Sequence, residues 1–198
     1  MYDILNYNYW KRRKAMSGTV YIVISQTGTI LSRILKVLTG AKYNHASISL
    51  VPDLETMYSF GRVHPYNPVL GGFVTESPNR GTFKRFSKTK ATILSISVTD
   101  EQYRALKEKL ESMQENKKRY HYNYIGLFLA GVRIPYHQKR CYYCSEFVKE
   151  MLVRQGIRGA DQLASIVEPI HFLQLPDANY VYSGSLKAYA ESCNKDVQ

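Results

Sequence analysis

The sequence predicts an α+β domain in which a mostly antiparallel sheet packs against helices. Three observations carry this prediction: a β-branched run at Thr19 to Ser25, an alternating run at Asn44 to Val51, and a helix-capping signature at Thr99. Strands and helices are mixed along the chain, with the strands gathered mostly in its first half.

The first 18 residues read as a polar, aromatic N-terminal tail carrying the basic run Lys11-Arg12-Arg13-Lys14. Residues 19–198 then form one domain. Thr19 to Ser25 is apolar and β-branched, as a buried strand requires. Ile30, Ile34, Val37 and Leu38 recur at helical spacing until Gly40 closes the helix. In Asn44 to Val51, Ala46, Ile48 and Leu50 take one face, and His45, Ser47 and Ser49 the other. Pro52-Asp53 turns the chain, and Thr56 to Phe60 returns as the second strand of a hairpin.

Gly61 to Lys90 is rich in Pro, Gly and basic residues and predicts a long substrate-facing loop, with room for a short strand at Gly72 to Glu76. Ala91 to Val98 is another strand. Thr99 with Gln102 forms a capping box, and Tyr103, Leu106, Leu110 and Met113 mark the amphipathic helix that follows. Lys117, Lys118 and Arg119 suit that helix's C-terminal turn. A short apolar helix at Tyr122 to Gly131 leads to a third helix near Cys144, buried through Phe147, Met151 and Leu152 and stopped by Gly156. The rest reads as helical turns, a strand near Asn179 to Tyr182 and a loose tail.

With 44% hydrophobic and 22% charged residues the composition is globular. The net charge of +11 draws the chain toward anions: nucleic acid, anionic lipid, an acidic polymer or a phosphorylated substrate. Tyrosine is abundant, with 17 in the chain, which keeps base stacking open, although they form no ordered stripe and half-buried packing is the favoured reading. No apolar stretch follows the N-terminal charges, and the longest apolar run, 124–132, is too short to span a bilayer. Three cysteines make no disulfide framework. Together these predict a cytoplasmic protein without a transmembrane segment.

Cys144 is the first candidate for chemistry, because a thiol at a helix N-terminus meets the positive end of the helix dipole, which favours the thiolate. Arg140 acts in the same direction, and the helix start offers N–H groups to an oxyanion. His45 opens a strand whose opposite face is apolar. A base on a rigid sheet and a thiol on a rigid helix are what a thiolate–imidazolium pair needs.

Asn44-His45-Ala46-Ser47-Ile48-Ser49-Leu50, Met57-Tyr58-Ser59-Phe60 and Cys144-Ser145-Glu146-Phe147-Val148 together resemble the NlpC-type papain-like cysteine hydrolases. The order, with His roughly 100 residues before Cys, is similar to their circularly permuted, YiiX-like branch. The resemblance covers about Thr19 to Gly156. It implies a permuted papain-like fold, with the His hairpin before the Cys helix. Cys144 would be the nucleophile and His45 the base, and no cofactor or metal would be needed. The third, orienting residue lies on the strand after the His strand. Ser59 takes that position, with Glu55 and Glu76 as substitutes outside the motif. Gln26, Tyr43 and Ser145 are candidates for the oxyanion or substrate. The implied chemistry is thiolate attack on an amide, ester or thioester, giving an acyl-enzyme that is passed to water or another acceptor.

Other readings stay open. Cys141 and Cys144 form a C-x-x-C that suits a redox dithiol, or zinc with His121 or His137. A papain-like shape without catalysis, gripping an anionic polymer or membrane surface, also fits the charge and the Ser at the third position. Lys84-Arg85, Lys88 and Lys90 are compatible with either an enzyme or a binder.

Overall fold

The computed structural model describes residues 16–27, 42–64, 67 and 70–195. The helix expected at 30–40 and most of the N-terminal tail lie outside the described residues.

The sheet grows around β1 (Met16–Gln26), the longest strand, which carries the β-branched run. It begins at Met16, so the tail expected to reach residue 18 gives its last residues to the strand. β1 pairs along its length with β5 (Lys90–Thr99) and on its other side with β2 (His45–Ser49). β3 (Met57–Arg62) and β4 (Gly71–Glu76) extend the sheet past β2, followed by the two-residue strands β6 (His121–Tyr122) and β7 (Cys141–Tyr142). β8 (Ala178–Ser185) closes the other edge, giving the order β7-β6-β4-β3-β2-β1-β5-β8. All pairs are antiparallel except β6–β7. The described residues are therefore a mixed α+β fold on a mostly antiparallel sheet.

Two points of the sequence reading matter for the site. The short strand allowed for at Gly72 to Glu76 is present as β4, which puts Glu76 on a strand, and the stretch 61–90 also contains the helical turn α1 (Gly81–Arg85), so it is not one loop. The chain's end is not a loose tail either, since α5 (Leu186–Lys195) follows β8 and buries Leu186 and Tyr189.

α2 (Asp100–Glu115) starts as the capping box predicts. Thr99 Oγ1 accepts from the Gln102 N–H at 3.2 Å, and Gln102 Oε1 accepts from the Thr99 N–H at 3.0 Å. Lys117, Lys118 and Arg119 lie beyond it in a separate 3-10 turn, so they do not cap α2. α3 (Tyr124–Gly131) and α4 (Cys144–Arg154) follow. Gly156, at φ 61°, takes the left-handed conformation that ends α4 without a Cβ penalty.

Strand alternation sorts the core into two layers. Val20, Ile22, Ile24, Ala46, Ile48 and Phe60 face α2 and α4, meeting Leu106, Leu110, Phe147 and Met151. Val23, Met57, Ala91 and Ile93 face the other way, onto Leu54, Phe83 of α1 and Leu186 of α5. Each such fully buried side chain contributes about 1.5–3 kcal/mol. His45 belongs to the second face and α4 packs on the first, so helix and histidine meet only where β2 begins.

Candidate active site

Asn44 fixes where β2 starts. Its N–H donates to the Ser25 carbonyl at 3.1 Å, and its Oδ1 accepts from the Thr27 N–H at 3.1 Å and from Thr27 Oγ1 at 3.2 Å. His45 follows at the head of the strand, its ring 6.1 Å from the ring of Phe83. Glu76 comes from the far end of β4, two strands away.

The pair meets because β3 is small where the two side chains cross it. The β2–β3 register of Ile48 to Tyr58 and Ser49 to Met57 places Ser59 opposite Ser47 and Gly61 opposite His45. A Cβ on Gly61 would stand 3.5 Å from Glu76 Oε1 and 3.7 Å from His45 Cε1, so both groups lie over this glycine. His45 Nε2 is then 2.9 Å from Glu76 Oε2 and 3.1 Å from Oε1, with both side chains nearly buried. Ser47 Oγ donates to Glu76 Oε2 at 2.8 Å and holds the carboxylate in place.

Ser59 shares the sheet face of His45 but does not touch it. Its buried hydroxyl donates to the Ala46 carbonyl at 2.6 Å. Among the described residues, the carboxylate bonded to the His45 imidazole is that of Glu76. Glu55, the other substitute, is occupied with Ser77 and Asn79. One sequence signal pointed to Glu76: it is the single acidic residue between Gly61 and Lys90.

Cys144 is the first residue of α4 and is buried. Its Sγ lies 3.9 Å from the Asn44 carbonyl, and the thiol is within hydrogen-bonding reach of the His45 imidazole. Glu76 occupies Nε2, which leaves Nδ1 for the thiol. Burial by itself pulls the imidazole down. The Glu76 charge and the hydrogen bonds from Cys144 and Glu76 outweigh it, so His45 stands well above its ordinary 6.5.

Stability should follow the proton on His45. A histidine that binds its proton more tightly folded than unfolded stabilises fully below about pH 6.5 and loses that contribution as pH rises through its folded value. The urea midpoint of the wild type should fall over this window, and His45→Gln should flatten the slope. A slope unchanged by the substitution would mean that other groups govern it.

Glu146 secures the start of α4. Its Oε2 accepts from the Tyr143 N–H at 3.2 Å and from Asn123 Nδ2 at 3.4 Å, while Oε1 pairs with His137. Two phenols not singled out in the sequence, Tyr122 and Tyr143, feel both burial and the charge at Cys144 and are pushed up, so they remain neutral donors. Their only sequence signal is proximity to Cys144 in the segment 122–143.

Beside the thiol lies a cleft of about 550 Å³, mouth included, with largely apolar walls from Leu127, Ala130, Gly131, Ile166, Val167 and Pro169. Tyr43 and Ser145 also line it, but both hydroxyls are committed. Tyr43 bonds Thr92 Oγ1 at 2.8 Å, and Ser145 donates to the Val167 carbonyl at 2.7 Å. Both line the cleft with their hydroxyls bonded within the protein. Gln26 ends β1 opposite Lys90, apart from the residues lining the cleft. The N-terminal turn of α4 supplies the nearest N–H donors.

Cys141 is buried, and burial together with the Glu146 charge pushes its thiol up, which disfavours it as the attacking half of a dithiol. No group of three or more metal-binding side chains occurs among the described residues, and His121 and His137 do not join the two cysteines in one. No described helix is long and apolar enough to cross a membrane. No protein-family model matches the chain, and no curated protein matches its sequence.

Proposed function

We propose that the chain is a cysteine hydrolase or acyltransferase, a papain-like fold of the NlpC type in permuted order, with Cys144, His45 and Glu76 as its triad. The observation that carries this reading is the imidazole itself, bonded at Nε2 to a buried carboxylate and within reach of a thiol at a helix start. Three free cysteines suit the reducing cytoplasm.

The chemistry follows from the arrangement. The Cys144 thiolate attacks the acyl carbon, and the carbonyl π pair moves to oxygen, facing the N–H groups of α4. Collapse expels the amine, alcohol or thiol, which takes the proton from the His45 imidazolium. Water or another acceptor then attacks the thioester while His45 removes its proton, and Cys144 is released. Glu76 keeps the imidazole oriented and offsets its charge throughout.

The test is incubation with p-nitrophenyl acetate, followed by peptide mass spectrometry. An acetyl group should appear on Cys144 and be absent from Cys141 and Cys193. An unlabelled Cys144, or equal labelling of all three, would overturn the reading.

A second reading, binding to an anionic membrane surface, is favoured by the stretch from α3 to β7. Phe128 is 72% exposed and Ile125 58%, Val132 and Ile134 are exposed further along the same stretch, and so are Arg133, Lys139 and Arg140. Exposed apolar side chains interspersed with cations suit the interface of an acidic bilayer. Phosphatidylglycerol vesicles should sediment the protein, phosphatidylcholine vesicles should not, and Phe128→Asp should weaken partitioning about tenfold or more. Cys144→Ala should leave it unchanged. Equal sedimentation of Phe128→Asp and wild type would remove this reading.

A further inference from the structure

Among the described residues three buried side-chain atoms lack a hydrogen-bond partner: Ser25 Oγ, Arg62 Nη2 and Gln114 Oε1. They are not scattered. Ser25 pairs with His45 across β1 and β2, and Arg62 follows the glycine over which His45 and Glu76 lie. Arg62 and Gln114 line one cavity, together with Glu76. An unmade bond on a buried polar atom costs about 1–3 kcal/mol, and more on a charged group, so such atoms tend to mark an absent partner.

The cavity lies along the outer edge of β4, where β6 pairs only at Gly72, and holds about 1050 Å³ of space, mouth included. Burial and then the neighbouring Arg85 charge pull the Arg62 guanidinium down, so a second cation stands close by. The two carboxylates in the wall are committed elsewhere. Glu55 accepts from Ser77 Oγ at 3.1 Å and Asn79 Nδ2 at 2.7 Å, and Glu76 serves His45 and Ser47. Arg80, the other cation of the wall, donates to the Glu55 backbone carbonyl at 3.1 Å.

We infer that this cavity is a binding subsite for an anionic group, a carboxylate or phosphate, of the acyl donor, with Arg62 as its principal ligand. The inference rests on the proposed Cys144 chemistry only for calling the bound molecule an acyl donor; the anion site stands on Arg62 itself. A guanidinium offers a planar fork that carboxylates and phosphates both match, and Arg85 adds long-range attraction. Gln114 Oε1 is an unused acceptor in the same wall. Glu76 is shared by the cavity wall and the His45 pair, while Cys144 opens into the separate apolar cleft.

The test uses inorganic phosphate and acetate as probes, each titrated against sodium chloride at equal ionic strength while the thermal midpoint is followed. The wild type should respond saturably to at least one of them: phosphate alone assigns a phosphate ligand, acetate alone a carboxylate, and both a site that accepts either. Arg62→Gln should weaken the apparent affinity at least about tenfold. Arg62→Lys, which keeps the charge without the fork and guards against misfolding of the glutamine variant, should fall between. Cys144→Ser should bind like wild type. No saturable response in the wild type, or equal responses in wild type and Arg62→Gln, would overturn the inference and leave a water-filled cavity. Acetylation of Cys144 is read separately, so failure of one idea does not conceal the fate of the other.

Discussion

His45→Ala should slow the reaction of Cys144 with iodoacetamide at pH 5.5 by about tenfold or more. At that pH an isolated thiol, with a pKa of about 8.5, is only about 0.1% ionised. His45 is the group within reach that can take the thiol's proton, so its loss removes the route to the reactive thiolate. Turnover of an acyl substrate should fall further, by about 10²–10⁴, because the same imidazole delivers the proton to the leaving group. Peptide mass spectrometry supplies internal comparators: Cys141 and Cys193 should react slowly in both proteins. A rate at Cys144 that ignores His45 would mean that the thiol and imidazole are neighbours without function.

Glu76→Gln and Ser59→Ala should separate the two candidates for the third residue. Glutamine keeps the size and some of the hydrogen bonding of Glu76 but removes the charge that opposes the effect of burial on His45. The imidazole should then titrate lower, as followed by the proton NMR signal of its Cε1–H, and acyl transfer should fall by about 10²–10³. Stability at neutral pH should drop by about 1–3 kcal/mol, since the charged hydrogen bond from His45 is lost and the imidazole sheds its proton rather than stay charged without a partner. Ser59→Ala breaks only the bond to the Ala46 carbonyl and should cost about 1 kcal/mol without moving the His45 titration. The reverse pattern, with His45 moved by Ser59→Ala and left alone by Glu76→Gln, would restore Ser59 to the triad.

The sequence was most legible where short-range rules act. Alternation along Asn44 to Val51 placed His45, Ser47 and Ser49 on one face, and Thr99 with Gln102 marked the start of α2. Gly156 likewise marked the end of α4. The pairing of Ser59 with the His45 face was also readable, because an even register about the Pro52-Asp53 turn requires it. The direction of the Ser59 hydroxyl was not, since the nearest acceptor is a backbone carbonyl that no side-chain pattern announces. Glu76 was harder still. Its carboxylate reaches His45 by crossing a whole strand, a contact set by the small residues of β3 and by sheet twist rather than by any motif. Arg62 and Gln114 are fifty-two positions apart in sequence and meet only around the open edge of β4.

The proposed base and nucleophile lie in separate parts of the chain, and this orders their appearance during synthesis. His45 and Glu76 belong to the first half, while Cys144 comes 68 residues after Glu76. At about 5–20 residues per second the ribosome makes the charged pair roughly 3–14 s before the thiol exists. A nascent chain therefore carries an orienting pair with nothing to activate. Reactivity begins only once α4 has been made and has docked its Phe147 face onto β2 and β3, so the chemistry cannot precede the fold that confines it.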